Sequence, residues 1–345
     1  MRIAFILPSL RNQGPIVVVK NLSDYMAEWG HEIEVFYFDE LSSMHFKCPT
    51  KRISMKNPID FDYFDIVHSH CLRPDIYVSK WKKKIHKAKI ISTLHQDTYQ
   101  TFHYKYNALL SWTFTKYWCH IQSKFDGIVS ISKQLENTYK TQISAPITTI
   151  YNGCAISDGG NVDAEIVNDI LILKSKYKVL GTYAFVTRRK GLGQIIRVLS
   201  RLKDYAFIII GEGPDIINLK TLADELNVRN RVLFLPYQNN PYKFLPYFDI
   251  YVMPSYSEGF GLAMVEAALS GKSIVCSNIP SFHEIFHEEE VSFFDLDDVD
   301  SLNNAIIRAF DGRVICGMLA KKRANEAFTA QRMAENYLEY YQKMI

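Results

Sequence analysis

The chain has 345 residues, 48% of them apolar and 22% charged, and because single cores seldom grow past about 250–300 residues, two domains are expected. Its formal charge of +3 hides an asymmetry: residues 1–150 carry 19 Lys/Arg against 13 Asp/Glu, and the remainder 21 against 24. No apolar run approaches the length of about 18 residues that spans a membrane, and the six cysteines lack the Cys-x-x-Cys spacing of zinc or dithiol chemistry. No nucleic-acid-binding signature accompanies the basic half either.

The apolar run at the start is broken by Pro8, which makes it too short for a signal peptide and suggests a strand over 3–7. The well-separated cysteines read as reduced thiols of a cytosolic protein. A helix follows over 15/16–29, closed by Gly30, then strands over 33–38, 66–68 and 90–94. Next come a helix over 105–124, a strand over 127–130, a helix over 133–140 and a strand over 147–151. A turn-rich connector over 152–160 places the domain boundary near 155–165. This βα alternation implies a parallel sheet covered by helices, with ligands outside the carboxyl ends of its strands.

Those strand ends are polar. The loop 8–14, ending in Gly14, could cradle phosphate on backbone N–H groups, although it lacks the G-x-G-x-x-G fingerprint. His68, His70 and His95 all fall at or beside strand ends. A lone histidine is ordinarily a hydrogen-bonded residue of no special role, but three on one sheet make His95 a candidate to line a ligand site. Their spacing disfavours a metal. The densest positive run, Lys80 to Lys89, is either a solvated face or a contact for an anionic membrane surface, at roughly 1 kcal/mol per basic residue near lipid. Trp81 and the aromatic residues between Tyr99 and Trp118 would suit such an interface.

The second half repeats the alternation, with strands over 179–186, 206–210, 231–234, 248–253 and 273–276. Helices are expected over 191–202, 215–226, 299–310 and 332–343. Pro254 ends the strand 248–253 because it has no N–H for the ladder. Glu258-Gly259-Phe260-Gly261 then turns into a helix that Gly271 stops. Strand, glycine turn and helix amino end make a ready anion site. Glu258 and Glu266 stand eight residues apart, roughly 10–12 Å along a helix. That is too wide for a hydrolase pair acting across one glycosidic bond, which needs about 5–10 Å. It suits a longer ligand with an anion between hydroxyl-bearing ends, the layout of a nucleotide-sugar.

Arg188, Arg189 and Lys190 at another strand end would put positive charge where a pyrophosphate leaves; the alternative is a solvated basic turn. Gly211-Glu212-Gly213 reads as a tight turn, since Pro214 breaks a dinucleotide fingerprint. Asp295-Leu296-Asp297 matches a D-x-D metal-nucleotide pattern, but its acidic neighbourhood and the frequency of chance matches argue against that role.

Taken in order, several segments resemble glycosyltransferase family 4. They are Gly14 with Gly30-His31-Glu32-Ile33, Asp65-Ile66-Val67-His68-Ser69-His70, Thr93-Leu94-His95 and Asn152-Gly153. In the second half they are Arg189-Lys190-Gly191, Gly211 to Pro214, and the Glu258…Glu266 block with Ser277 to Pro280 and Glu284. The resemblance covers nearly the whole chain and implies an α/β GT-B fold, two Rossmann-like domains whose parallel sheets face a central cleft. It implies an acceptor-binding domain over 1–158, a nucleotide-sugar-binding domain over 159–330, and a helix over 331–345 that returns to the first domain.

By the same resemblance Glu266 would bind the donor ribose and Glu258 the donor sugar. The N–H groups of Phe260 and Gly261, flanked by Gly259 and Leu262, would hold the sugar or pyrophosphate, with Gly14 and Gly211 also near the donor. Lys190 and either Arg188 or Arg189 would stabilise the departing diphosphate, and His95 would contact the sugar. No metal or other cofactor is implied. One departure is that Ala184 and Phe185 stand where the family usually has Gly-Arg.

The implied function is retaining transfer of a hexose from a UDP- or GDP-sugar to an acceptor hydroxyl, in cell-surface polysaccharide or lipid-linked glycan synthesis. The protein would be cytoplasmic or peripheral on the cytoplasmic face of the membrane. Two alternatives are a catalytically silent GT-B subunit that binds a nucleotide-sugar or a partner, and a nucleotide-sugar epimerase.

Overall fold

The computed structural model describes residues 1–41, 44–103, 107–156 and 162–345. The chain divides into two compact units, Met1–Ala155 with Phe328–Ile345, and Ile156–Ala327. The boundary expected at 158/159 and the start of the expected helix 105–124 lie outside the described residues.

Among the described residues the first unit holds seven strands: β1 (Arg2–Ser9), β2 (Glu32–Asp39), β3 (Thr50–Arg52), β4 (Ile66–His70), β5 (Lys89–Leu94), β6 (Gly127–Ser130) and β7 (Ile147–Thr149). They lie in the order β3-β2-β1-β4-β5-β6-β7, and every pairing is parallel. Ile3 to Leu7 are all fully buried, as a central strand covered on both faces requires. The helix Gly14–Glu28 follows β1, burying Ile16, Val18, Val19, Leu22 and Met26. The strand order reverses between β1 and β4, so their following connections leave on opposite sides and open a crevice at the carboxyl ends.

The helix Ala330–Met344 belongs to this unit and packs on the helix Gly14–Glu28. Its buried residues Ala330, Met333, Ala334, Tyr337 and Tyr341 form one helical stripe. Backbone bonds fix its entry, Cys154 N–H to Phe328 O at 3.0 Å and Ala330 N–H to Cys154 O at 2.9 Å.

The second unit holds β8 (Lys178–Tyr183), β9 (Tyr205–Ile210), β10 (Val232–Leu235), β11 (Ile250–Met253), β12 (Ser273–Ser277) and β13 (Ser292–Phe294). The order is β10-β9-β8-β11-β12-β13, again parallel, and the reversal falls between β8 and β11. Leu180, Ile195, Phe207, Val252, Val275 and Ile306 contribute to its core. The strand expected over 179–186 leaves the regular ladder at Tyr183. Its continuation bonds along the turn after β9 instead, with Ala184 N–H to Ile210 O at 3.0 Å and Val186 N–H to Glu212 O at 2.8 Å.

The helix Arg313–Ala327 has no counterpart in the sequence reading. It buries Gly317, Ala320 and Ala324 while exposing Val314, Ile315 and Met318. Such a helix packs through small residues and shows no apolar stripe of period 3.6. Among the described residues, no helix is long and apolar enough to cross a membrane.

Candidate active site

The charged cluster lies where the strand order of the second unit reverses. After β8 the chain runs through a single 3-10 turn, Arg188–Lys190, and Gly191. After β11 it runs from Pro254 through Glu258 into the helix Leu262–Leu269. The two loops are tied together by a backbone bond and a side-chain bond. Tyr256 N–H donates to Arg189 O at 2.9 Å, and the buried Gln194 amide donates to Pro254 O at 2.9 Å. Gly191 has φ +64°, and a Cβ there would stand 2.0 Å from Pro254 O, so this contact requires glycine.

Glu258 is the centre of the cluster. Its Oε1 accepts from Lys190 Nζ at 2.6 Å and from the Ser255 hydroxyl at 2.8 Å, and its Oε2 lies 3.3 Å from Arg189 Nη1. Arg189 also donates to the Ser257 carbonyl. Burial by itself would raise the Glu258 carboxyl, but the charges and hydrogen bonds of Lys190, with Arg189 and Ser255, outweigh it and hold the group below the ordinary carboxylate range. Arg188 points away, with a side chain 85% exposed and its nearest carboxylate, Asp215, at 3.9 Å. The arginine locked into the cluster is therefore Arg189.

Gly261, with φ +105°, is the N-cap of the helix Leu262–Leu269 and has no side chain to cap the first N–H groups. These groups carry the partial positive charge of the helix amino end. Phe260 is buried beside them, and Gly259 is half-buried. Two cations, one carboxylate and a helix amino end leave the cluster with a positive excess, suited to a diphosphate.

Glu266 lies one turn further along the same helix, half-buried. It accepts a hydrogen bond from the Tyr183 hydroxyl at 2.6 Å. Burial pushes its carboxyl up to about 7, with the Tyr183 bond pulling the other way. Nothing in the sequence reading singled out Tyr183, Ser255 or Gln194; only their position beside the paired loops reveals them. Gly211 is a close-approach position, where a Cβ would meet Ala184 O at 2.0 Å. The D-x-D residues are engaged within the fold. Asn278 donates to Asp295, Asp297 accepts from the Tyr256 hydroxyl, and the Asp297 N–H donates to Gln194. Among the described residues, no group of three or more His, Cys, Asp or Glu is placed to hold a metal.

The order reversal of the first unit carries a different chemistry. Gly14 is exposed at the amino end of its helix after β1. His68 and His70 lie fully buried on β4, and His95, half-buried, follows β5. Burial lowers His68 and His70 well below the ordinary histidine range and brings His95 to about 3, so all three are neutral at physiological pH.

Beneath them Asp75 is fully buried, accepting from Ser69 (2.6 Å), Trp118 (2.6 Å), Ser92 (2.9 Å) and Gln122 (3.1 Å). Burial raises its carboxyl to about 7 against the pull of those four donors. A single carboxylate within an apolar sequence context gave no signal of this network.

The basic run also folds differently from the simplest expectation. Lys82–Lys84 form one 3-10 turn, not a helix face. Trp81 is half-buried, with the Lys80 and Lys84 ammonium groups 5.0 and 5.1 Å from its ring centre. Exposed apolar side chains of the first unit include Leu109, Trp112 and Tyr117 on the helix Ala108–Gln122, which also exposes Lys116.

A family model described as Glycosyltransferase Family 4 matches residues 13–157, and one described as Glycosyl transferases group 1 matches residues 164–329. The O-antigen biosynthesis glycosyltransferase WclY of Escherichia coli is 31% identical over 356 residues, covering 100% of this chain and 99% of the relative. A Campylobacter jejuni N-acetylgalactosaminyltransferase acting on a diphospho-undecaprenol-linked sugar is 28% identical over 52% of this chain and 50% of its own. The structure of Anabaena HepE, solved with UDP and glucose, superposes with a TM-score of 0.82 at 18% identity, covering 99% of both chains. The chain belongs to the group 1 glycosyltransferases and is a glycosyltransferase of the GT-B fold.

Proposed function

We propose that the protein is a retaining hexosyltransferase that moves a sugar from a UDP- or GDP-sugar to an acceptor hydroxyl of a lipid-linked glycan in cell-surface polysaccharide synthesis. The reading rests chiefly on the convergence of Lys190 and Arg189 on Glu258 at the amino end of the helix Leu262–Leu269. A donor diphosphate entering there exchanges places with Glu258 as the partner of both cations. Glu258 is then released to accept hydrogen bonds from hydroxyls of the transferred sugar, while Glu266 takes the ribose hydroxyls.

As the glycosidic bond breaks, negative charge grows on the leaving diphosphate. Lys190, Arg189 and the helix N–H groups stabilise it in place, with little reorganisation. This scheme asks for no metal ion. The acceptor hydroxyl attacks from the face the diphosphate leaves and passes its proton to the departing phosphate oxygen, so the anomeric configuration is kept.

The acceptor class is motivated by the relatives, one named for O-antigen biosynthesis and one for transfer to a diphospho-undecaprenol-linked sugar. A peripheral site on the cytoplasmic membrane face fits the first unit's exposed Leu109, Trp112 and Tyr117 together with Lys83, Lys84 and Lys116. Aromatic anchors and basic residues are what an anionic bilayer surface attracts. Sedimentation with anionic liposomes at low salt tests this placement. Loss of binding in Trp112→Ala/Tyr117→Ala supports it, and no binding by the native protein ends it.

The function is tested by nucleotide diphosphate release across a panel of UDP- and GDP-sugars, with Glu258→Ala and Lys190→Ala as controls. Turnover with one donor, lost in both variants, supports the reading. Tight nucleotide binding with no turnover on any donor would favour a silent subunit.

A further inference from the structure

The three histidines of the first unit touch in sequence. The rings of His68 and His70 are 4.2 Å apart between centres, and those of His70 and His95 are 5.1 Å apart. His68 is pinned at both nitrogens, Nδ1 to the Tyr341 hydroxyl at 2.6 Å and Nε2 to the Thr93 hydroxyl at 2.8 Å. Thr93 in turn contacts the Tyr337 hydroxyl at 3.3 Å. The helix Ala330–Met344 thus fixes the inner end of the row, and Phe5 packs against both His68 and His70.

The outer end is settled by counting hydrogens. His70 Nδ1 lies 2.8 Å from His95 Nε2, so one of these two atoms carries the hydrogen and the other accepts it. His70 Nε2 is buried and has no hydrogen-bond partner among the described residues. A neutral ring has one N–H, and placing it on Nε2 would bury an orphan donor, which folded proteins show more rarely than an under-satisfied acceptor. The hydrogen of His70 therefore sits on Nδ1 and is donated to His95 Nε2. His95 must then carry its own hydrogen on Nδ1.

We infer that His70 is a positioning residue, holding His95 in the tautomer that offers an Nδ1–H donor to a ligand oxygen at the carboxyl ends of β4 and β5 of the first unit. The inference deepens the proposed function, on which the ligand depends. The tautomer itself follows from the protein alone. Without this bond nothing holds His95 in that tautomer, and the Nε2–H form, which presents an acceptor where a donor is needed, takes over.

The test uses full-length protein with nitrogen-15-labelled histidine, assigning His95 by its loss in His95→Gln. The expected spectrum shows His95 protonated at Nδ1 and unprotonated at Nε2. In His70→Phe, which keeps a ring but removes the donor, the His95 signals should shift toward mixed tautomers. Sugar transfer should fall by about tenfold in kcat, the effect of one ordinary hydrogen bond. His70→Asn places an amide N–H where Nδ1–H stood, and should restore both the His95 pattern and most of the turnover.

A hydrogen found on His95 Nε2 in the native protein overturns the inference. So does an unchanged His95 pattern, or unchanged turnover, in folded His70→Phe. If His70→Phe fails to fold, the native spectrum and His70→Asn still decide it. If the native protein turns over no donor, the functional reading fails while the tautomer is still read from the spectrum.

Discussion

The two units present their strand-order reversals with opposite chemistry. In the second unit the crevice between the ends of β8 and β11 gathers Arg189, Lys190 and Glu258 at a helix amino end. In the first, the ends of β4 and β5 carry three neutral imidazoles over a buried, fully hydrogen-bonded Asp75. The same topology therefore yields a charged site and an uncharged one. The difference is set by which residues follow the strands, because topology supplies only the crevice.

The largest effect should come from breaking the charged side. Lys190→Ala removes the closest cation from Glu258 and from the proposed diphosphate, and should lower turnover by about a hundredfold or more. A fall of less than threefold in steady-state transfer would place the leaving group elsewhere. On the neutral side, Asp75→Ala takes the acceptor from buried Ser92 and Trp118 and leaves Ser69 and Gln122 only their longer bonds to Ile91 O and Ser92 Oγ, at a cost of about 3 kcal/mol in stability. Denaturant titration of the full chain measures it, and a loss below about 1 kcal/mol contradicts the network's role.

The acid response should also belong to the first unit. His68 and His70 are held well below 6.5, so the unfolded chain takes up more protons and their stabilisation is lost as pH falls below about 6.5. Each adds a slope of about 1.4 kcal/mol per pH unit. Titrating stability between about pH 6.5 and 5 in native and His68→Phe protein should show the variant's slope reduced by one such increment.

The response nearer neutrality should come from the second unit. Glu266 is raised to about 7, so its ionised form, the better acceptor for ribose hydroxyls, grows as pH rises through that value, and nucleotide affinity should rise with it. In the unliganded protein the sign is opposite, since a carboxyl raised from 4.5 stabilises the fold at low pH and loses that contribution as pH rises through about 7. Calorimetric titration with nucleotide diphosphate checks the first statement, and Glu266→Gln should flatten the profile. The smallest effect is expected from Arg188→Ala, under threefold in turnover, because that side chain is outside the Glu258 cluster. A loss equal to that of Arg189→Ala would reverse the assignment.

Much of the architecture was legible in the sequence, because both sheets are built of short apolar runs at regular spacing, from 3–7 through 273–276. Helices that pack by small residues were not, as in Arg313–Ala327, where burial of Gly317 against Gly271 replaces an apolar stripe. Glu258 and Lys190 were legible as residue types beside strand ends. Their hydrogen bond spans 68 positions of sequence and was not. The same holds for Asp75, whose partners come from β4, β5 and the helix Ala108–Gln122.

The sequence by itself determined the repeated βα pattern, the glycine turn before Leu262 and the chemical types at each strand end, since these depend on local propensity and spacing. Only the tertiary structure decided that Arg189 rather than Arg188 joins Glu258, that Trp81 lies under two lysines, and that Tyr341 reaches His68 across 273 residues. Those choices turn on which distant groups share a buried space and must satisfy one another there, and no local pattern encodes that.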